Sequence, residues 1–544
     1  MTQTLAGARR DQALQLVGSG FDVAIVGAGV NGAGMAWDCA LRGLRVLLVD
    51  KGDIGSGTSS WSSKMIHGGL KYLEKYDVPL VRESLKEREW LLQAAPHLVR
   101  ELRFLLPFYA SNAHPANVLR LGMVAYDVLS FDKSVRRFEL LSPSKILQRE
   151  PGLNPDGLQG AAYYSDAQVA YAERMSYEIA LAAQRAGAHV ITYAKAVRLG
   201  RSGNRVTSLV ISDELTGTEY EAPARVVINA AGPWIDEVWD ADEGVRLPRM
   251  NGGTKGTHLV VDPFPGAPSD AFYYEAQADG RPMMVIPWLD RYLIGSTDLR
   301  FTGDLDMASA TPDEYEYILR ETNWVLPEAR LTNADIRYSY TGVRPLPYAE
   351  GDVADITRRH ELRSHDPEIP GLFTLVGGKL TTFRKVGEEV GNLLCKRFGL
   401  KRASVTHKLP LPGGGEPDLG RLRAELLPSG LPRPLIDRLV DQYGTRALDL
   451  ARFIAGGDGN AEIIDEGFGL TVGEVRWAVE VEDAQRLADI LCRRTMVGLE
   501  NHLGRPVADR VAGIAAESLG WDAARTEDEL ARYEHYLTRF TPLA

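Results

Sequence analysis

Cysteine is scarce in this chain. Cys39, Cys395 and Cys492 are the only three, and they lie far apart. That leaves no disulfide framework, no C-x-x-C pair and no iron–sulfur cluster held by the chain's own cysteines. They read as small buried hydrophobes, and a reducing, cytoplasmic setting is the expectation. No apolar run reaches the about 18 residues that span a bilayer, and Met1 to Gly20 has no apolar signal core. A basic excess is missing too. The net charge of −11 argues against nucleic acid as a partner, although a local Arg/Lys pocket could still take a small anion. G-x-S-x-G, a Walker loop and clustered metal ligands are all absent, so no metal is expected. Any chemistry should come from a bound cofactor, with the protein positioning the substrate.

What is present is concentrated near the start. Phe21 to Val26 is an apolar, β-branched run, followed by Gly27-Ala28-Gly29-Val30-Asn31-Gly32. A helical stretch, Ala33 to Arg42, and a second apolar run, Arg45 to Val49, end at Asp50, eighteen residues past Gly32. This is the dinucleotide fingerprint within one βαβ unit. Gly27 makes the tight turn, Gly29 admits a pyrophosphate and Gly32 lets the helix pack on the strand. The helix N-terminus faces the phosphates, and Asp50 can accept from ribose hydroxyls. Alone, the motif leaves NAD and FAD open.

The small-residue loop Lys51 to Ser60 follows, with Thr58, Ser59 and Ser60 suited to a phosphate or ribose. Then comes Ser62-Ser63-Lys64-Met65-Ile66-His67-Gly68-Gly69-Leu70-Lys71-Tyr72-Leu73-Glu74. Its paired glycines beside Lys64 and His67 fit backbone lying close to a flat ligand. With Leu80-Val81, Glu87-Arg88 and Ala95-Pro96-His97-Leu98, this stretch resembles the FAD-dependent glycerol-3-phosphate dehydrogenases of the amino-acid-oxidase-like superfamily, over nearly the whole chain. One departure is Lys71, where many relatives carry Arg; Lys keeps the charge and loses the bidentate fork.

Residues 76 to about 150 read as mostly helical, interrupted by Pro96, Pro107 and Pro115. An α/β rhythm returns with Tyr163 to Asp166, the helix Ala170 to Ala186 and a strand Ala188 to Tyr193. Arg225 to Asn229 is a buried strand ending in Ala230-Ala231-Gly232, which fits either cofactor contact or ordinary sheet packing. Gly253 to Val261, Met283 to Trp288 and Arg291 to Asp298 form a strand-rich stretch, with a hairpin turn at Asp290-Arg291. Gly371 to Val376 runs into Gly377-Gly378-Lys379-Leu380-Thr381 and a helix, Lys385 to Phe398, repeating the opening pattern. Contacts at the Thr58 loop, His67 to Gly69 and Gly377-Gly378 favour a cofactor gripped along its length, as FAD is.

The expected architecture is α/β. A Rossmann-type FAD-binding domain spans residues 20–400, with a mostly antiparallel substrate-binding sheet inserted at about 76–150 and 240–350. Leu409 to Gly415 reads as a linker. An all-α cap follows at 416–544, with helices at Pro434–Tyr443, Ala447–Ile454, Val472–Val481, Asp483–Met496 and Val507–Leu519. Glu482 and Arg493-Arg494 fit ion pairs within the chain or a solvated face at least as well as a partner contact.

The resemblance implies oxidation of sn-glycerol 3-phosphate to dihydroxyacetone phosphate, with hydride to flavin N5 and electrons to quinone. Oxygen as acceptor and an amine or amino-acid oxidase activity are the alternatives. Arg344 and Lys379 would be the cationic substrate ligands, with Lys71, Tyr72, Thr297 and Asp298 as further pocket members. A secondary alcohol also needs a base for its proton; His258 is the first candidate and His67 the competitor. Quinone as acceptor implies peripheral contact with the inner membrane face. The assembly state is open, a homodimer included.

Overall fold

The computed structural model describes residues 10–73, 77–351 and 356–540. The β-branched run Val23–Val26 becomes a middle strand of a six-stranded sheet. Val46–Val49 and Val227–Asn229 lie parallel on either side of it. His189–Ile191 and Leu372–Val376 extend the sheet in parallel, and Glu361–Ser364 closes one edge antiparallel. The central strands are buried along their full length, as strands covered on both faces must be. Side-chain alternation feeds two layers. Ile25 and Leu48 pack with Met35 and Val386 of the helical layer. Ala24, Val26, Leu47 and Val49 pack with Leu199, Leu209 and Ile211 of a three-stranded antiparallel sheet spanning 194–223.

Two helices on the first layer nearly touch backbone to backbone. A Cβ on Gly34, in helix Val30–Leu41, would lie 2.8 Å from the Phe383 ring. One on Gly387, in helix Phe383–Arg397, would lie 2.5 Å from the Gly34 carbonyl oxygen. This packing fixes where the first helix points its N-terminus.

The second sheet is mostly antiparallel. Thr254–Val261 pairs with both Arg291–Gly295 and Ile336–Arg344, while Ala271–Glu275 runs parallel to Val99–Tyr109. The hairpin after Pro282–Trp288 turns at Leu289-Asp290, with Leu289 at φ 57°, so Arg291 already belongs to the next strand. The mostly helical reading of 76–150 is corrected here: Val99–Tyr109 is an 11-residue strand. Its apolar run gives no alternation because both sheet faces are buried. Phe104, Leu106 and Phe108 enter one core, and Leu105 and Tyr109 the other. Tyr163 to Asp166 also belongs to this sheet, within Leu158–Val169, which pairs along Val99–Tyr109. Met65–Ile66 joins the same sheet, which therefore draws on more of the chain than 76–150 and 240–350.

Leu409 to Gly415 is packed, not a free tether. Leu411 is 1% exposed and its amide donates to the Ala94 carbonyl at 2.9 Å. Beyond it lie the helices Leu419–Leu426, Arg433–Tyr443, Ala447–Gly456, Val472–Glu480, Ala508–Leu519 and Ala523–Leu537. The helix expected over Asp483–Met496 is instead a short turn, Leu487–Asp489, running into a π-helical turn, Ile490–Arg494. The wider turn lets consecutive arginines meet one acid. Arg493 Nε lies 2.7 Å from Asp53 Oδ2, and Arg494 forks onto both Asp53 oxygens at 2.8 and 2.9 Å. Glu482 pairs with Arg174 of helix Ala172–Arg185 and with Arg446, at 2.7 Å for the latter. Burial opposes ionisation of Glu482, but Arg174 and Arg446 outweigh it and hold the carboxyl at about 2. These side chains are thus ion pairs within the chain.

A buried charge left wholly unpaired costs about 3–5 kcal/mol; without Arg494, Asp53 would lose the fork onto both oxygens and keep Arg493 alone. Arg494→Ala should therefore lower the denaturant midpoint of the holoprotein markedly. An unchanged midpoint would show that Asp53 does not depend on it.

Candidate active site

A cleft of about 1300 Å³ opens at the C-terminal ends of the parallel strands. The fingerprint glycines divide their work as the motif requires. A Cβ on Gly27 (φ 107°) would sit 2.6 Å from the Ala230 carbonyl oxygen, and one on Gly32 would strike the Gly27 carbonyl. Gly29 meets only Ser59 Oγ, at 3.3 Å, and its other side faces the cleft. The helix starting at Val30 has no side-chain cap from Gly29; the Val30 amide donates to Ser59 Oγ at 3.0 Å. Its dipole end is thus open to an anion. Asp50 accepts from the Ala28 and Gly52 amides at 2.6 and 2.8 Å, and burial pushes its carboxyl up. Asp50 lines the cleft, and each oxygen has capacity for a second donor such as a ribose hydroxyl.

Asn31, Thr58, Ala231, Gly232, Gly377, Gly378, Lys379 and Leu380 also line the cleft. Asn31 Oδ1 is buried with no partner, and a Cβ on Gly378 (φ 103°) would collide with the Asn31 amide. Opposite them, helix Ala523–Leu537 contributes Arg532 and Tyr536 to the wall. The sequence reading missed this wall, because no local motif ties that helix to residues five hundred positions away. An orphaned amide oxygen, a glycine-lined phosphate turn and a cleft above the usual 300–1000 Å³ range fit an extended dinucleotide such as FAD.

A smaller cavity of about 290 Å³ meets the cleft at Thr58, Pro345, Gly377, Gly378 and Lys379. Its wall is strongly cationic: Arg281, Arg344, Arg358, Arg359 and Lys379. Asp298 holds two of these in place, Arg344 at 2.9 Å and Arg358 at 2.8 Å. Arg344 also donates to Ser296 Oγ at 2.8 Å. Lys379 differs from the others. Its Nζ is buried without a hydrogen bond and lies 3.8 Å from the Tyr72 ring centroid. Burial brings its pKa down to about 7, with Glu83 and Asp77 opposing. Arg281, Arg358 and Arg359 escaped the sequence reading, since arginines outside helices and strands carry no periodic pattern.

His258 sits one step behind the wall. It stacks on Tyr340 at 5.1 Å, and its Nε2 shares a 2.8 Å hydrogen bond with Ser63, which lines the cavity. Burial, then Arg344 and Lys64, press its pKa to about 3, and Nδ1 has no partner. His67 lines the cavity directly; burial lowers its pKa, with Asp166 opposing. Its amide donates to Thr381 Oγ1 at 3.3 Å, and Thr381, expected at the cofactor, is buried and lines neither the cleft nor the cavity.

Several expected contacts are spent elsewhere. Lys64 Nζ donates to the Ser60 carbonyl at 2.9 Å and pairs with Glu173, and both residues border a small internal void instead of the cleft. Ser60 Oγ donates to the Gly55 carbonyl at 2.6 Å. Gly68 and Gly69 make room for side chains: an added Cβ would strike Leu85 and Tyr126 at Gly68, and the Tyr72 ring at Gly69. Thr297 is 3% exposed and donates to Glu314 Oε1 at 2.7 Å, so it braces the sheet. The Lys71 side chain lies outside the described residues.

The fold and site have counterparts among known proteins. A family model described as FAD dependent oxidoreductase matches residues 22–384, and one described as the C-terminal domain of alpha-glycerophosphate oxidase matches 404–526. A glycerol-3-phosphate dehydrogenase of Synechocystis sp. is 41% identical over 96% of this chain and 97% of its own length. An aerobic glycerol-3-phosphate dehydrogenase of Bacillus subtilis is 31% identical over 96% of each. Among solved structures, the glycerol-3-phosphate dehydrogenase of Bacillus halodurans complexed with FAD superposes with a TM-score of 0.82, 26% identity and 98% coverage of both chains. Glycine oxidase of Geobacillus kaustophilus, at 23% identity and TM-score 0.52, shares the fold over 72% of this chain. With both family models matched in order along the chain and relatives alike from end to end, this protein belongs to the FAD-dependent glycerol-3-phosphate dehydrogenases.

Proposed function

We propose that this chain oxidises sn-glycerol 3-phosphate to dihydroxyacetone phosphate and passes the electrons to a membrane quinone. The observation that carries the reading is the cationic cavity that joins the dinucleotide cleft. Arg344, Arg358 and Lys379 surround a space of about 290 Å³, which suits a phosphate dianion on a three-carbon alcohol. Guanidinium forks match phosphate oxygens, and Asp298 holds two of them at fixed angles before substrate arrives. An amine or amino-acid substrate would have one carboxylate to offer to this many cations.

FAD, held along Gly29, Asn31, Asp50 and Gly378, would supply the oxidant and take the hydride from substrate carbon 2. The protein's part is binding and proton transfer. Arg344 and Arg358 anchor the phosphate. Lys379, at the junction of the two spaces, takes up a proton as the dianion arrives and becomes the third cation. His258 receives the hydroxyl proton through Ser63. Its basicity is held down partly by Arg344, and that field is offset once phosphate occupies the guanidinium. His67 is the second reading for the base, favoured by its direct place on the cavity wall.

The relatives are named dehydrogenases, which favours an acceptor other than oxygen, and we take that acceptor to be a quinone; oxygen with release of peroxide is the alternative. No described helix is long and apolar enough to cross a membrane. We therefore place the acceptor contact at a peripheral surface of a cytoplasmic protein.

In a dye-linked assay glycerol 3-phosphate should support turnover while glycine and proline do not, and the reverse order would overturn the substrate. Arg344→Ala should lower kcat/KM roughly 100-fold, about 2.7 kcal/mol, with flavin still bound; unaltered kinetics would remove it from the site. The pH dependence follows from Lys379. Only its protonated form attracts the dianion, so kcat/KM should rise as the phosphate ionises near about pH 6 and fall above about pH 7 as free Lys379 loses its proton. Lys379→Met should abolish the falling limb; a limb that survives would assign it to another group. His258→Ala should slow flavin reduction by about 10²–10⁴-fold, whereas loss of that order in His67→Ala alone would move the base to His67.

A further inference from the structure

The segment after the last long helix, Ala523–Leu537, is pinned to the rest of the molecule. The Phe540 carbonyl accepts from the Ser339 amide at 2.7 Å, which ties it to strand Ile336–Arg344. The Phe540 ring packs on Trp61 at 4.9 Å and on Tyr338 at 5.8 Å. Between the helix and this anchor sits Arg539, a residue of the dinucleotide cleft wall. Its guanidinium stacks on the Trp61 ring at 4.3 Å. Trp61 in turn follows the loop whose Thr58 and Ser59 line the same cleft. Arg539 is thus fixed from both sides.

What its side chain lacks is an anion. The other arginines of the cleft wall are committed: Arg486 to Glu529 at 2.8 Å, Arg493 to Asp53 at 2.7 Å and Arg532 to Asp528 at 2.6 Å. The Arg539 side chain has no ion pair or hydrogen bond among the described residues, and its Nε is buried. Burial works against the charge, with Tyr536 and Asp306 opposing. A guanidinium nevertheless stays charged in proteins, and a desolvated cation is costly until a ligand supplies the opposite charge.

The cleft has the matching need. The open N-terminus of helix Val30–Leu41 offers roughly half a positive charge, too little for a doubly charged diphosphate. Lys51 also lines the cleft but is paired with Asp306 at 2.8 Å. Lys379 stands where the cleft meets the substrate cavity. One loop joins the helix N-terminus to Arg539. Ser59 Oγ accepts from the Val30 amide at 3.0 Å, and Trp61, two residues on, carries the guanidinium.

We propose that Arg539 is a cofactor ligand that donates to the diphosphate of FAD, so that the C-terminal domain supplies a cation to the group that the helix N-terminus receives. The proposal rests on FAD as the cofactor and not on the substrate, and flavin retention scores it without turnover. On dilution, Arg539→Gln holoprotein should release flavin with a Kd raised about 10–100-fold, the range for a hydrogen bond to a charged group. Arg539→Lys, which keeps a charge, should recover part of that loss. ADP carries the same diphosphate and loses the same contact, so it should displace FAD from Arg539→Gln at the concentration it needs for wild type. Displacement of FAD by ADP about 10-fold more readily from the variant would place the lost contact elsewhere on the cofactor and overturn the proposal. Phenylglyoxal gives a second measurement on wild-type protein: Arg539 should resist it while flavin is bound and react once dilution releases the flavin. Unchanged flavin release from Arg539→Gln, or labelling of Arg539 that ignores the flavin, would equally overturn it.

Discussion

Asp53 is a fully buried carboxylate clasped by two arginines from the far end of the chain, and the cofactor cleft depends on that clasp. Asp53 lies three residues past Asp50, at the start of the loop that wraps the cleft. The same loop sends Ser59 to the Val30 amide and Thr58 to the Val343 carbonyl, at 3.0 and 2.7 Å. The C-terminal domain therefore holds the loop that shapes the dinucleotide site, and its last long helix forms part of the wall. Burying these charges costs several kcal/mol per ion unless every one is paired. Glu178, Glu482, Arg174 and Arg446 complete the matching, with Arg174 and Arg446 each shared between the two glutamates.

The contrast with the substrate cavity explains where chemistry can occur. In the domain boundary each cation has its acid. Around the cavity, four arginines and a lysine line the space: Asp298 serves Arg344 and Arg358 together, Asp77 serves Arg359 and Asp279 serves Arg281, and the Lys379 ammonium has no hydrogen-bond partner. Such an excess is unfavourable until an anion arrives, which is how binding energy becomes selective for a dianion. Burial first, then Arg344, keeps His258 neutral in the empty site, so the proton acceptor is poised in part by a group that binds the phosphate.

Parts of this were legible in the sequence because the causes are local. Gly27, Gly29, Gly32 and Asp50 act within one βαβ unit, so spacing alone identified them, and Gly377-Gly378 repeated the same logic. Val99–Tyr109 was not legible as a strand, since burial on both faces erases the alternation that marks one. Lys64 and Ser60 looked like ligand contacts because small polar residues surround them; their partners, Glu173 and Gly55, are set by tertiary packing. Arg358 carried no signal at all. The π-turn that aims Arg493 and Arg494 at one acid depends on Asp53, over four hundred residues earlier.

The central claim is that a flavin at the glycine-lined cleft oxidises a phosphorylated alcohol held by Arg344, Arg358 and Lys379. Anaerobic titration of purified, flavin-loaded protein with glycerol 3-phosphate tests it most directly. The account predicts bleaching of the oxidised flavin absorbance, with one dihydroxyacetone phosphate formed per flavin reduced. Flavin that stays oxidised with glycerol 3-phosphate, or that bleaches equally well with glycine, would contradict it.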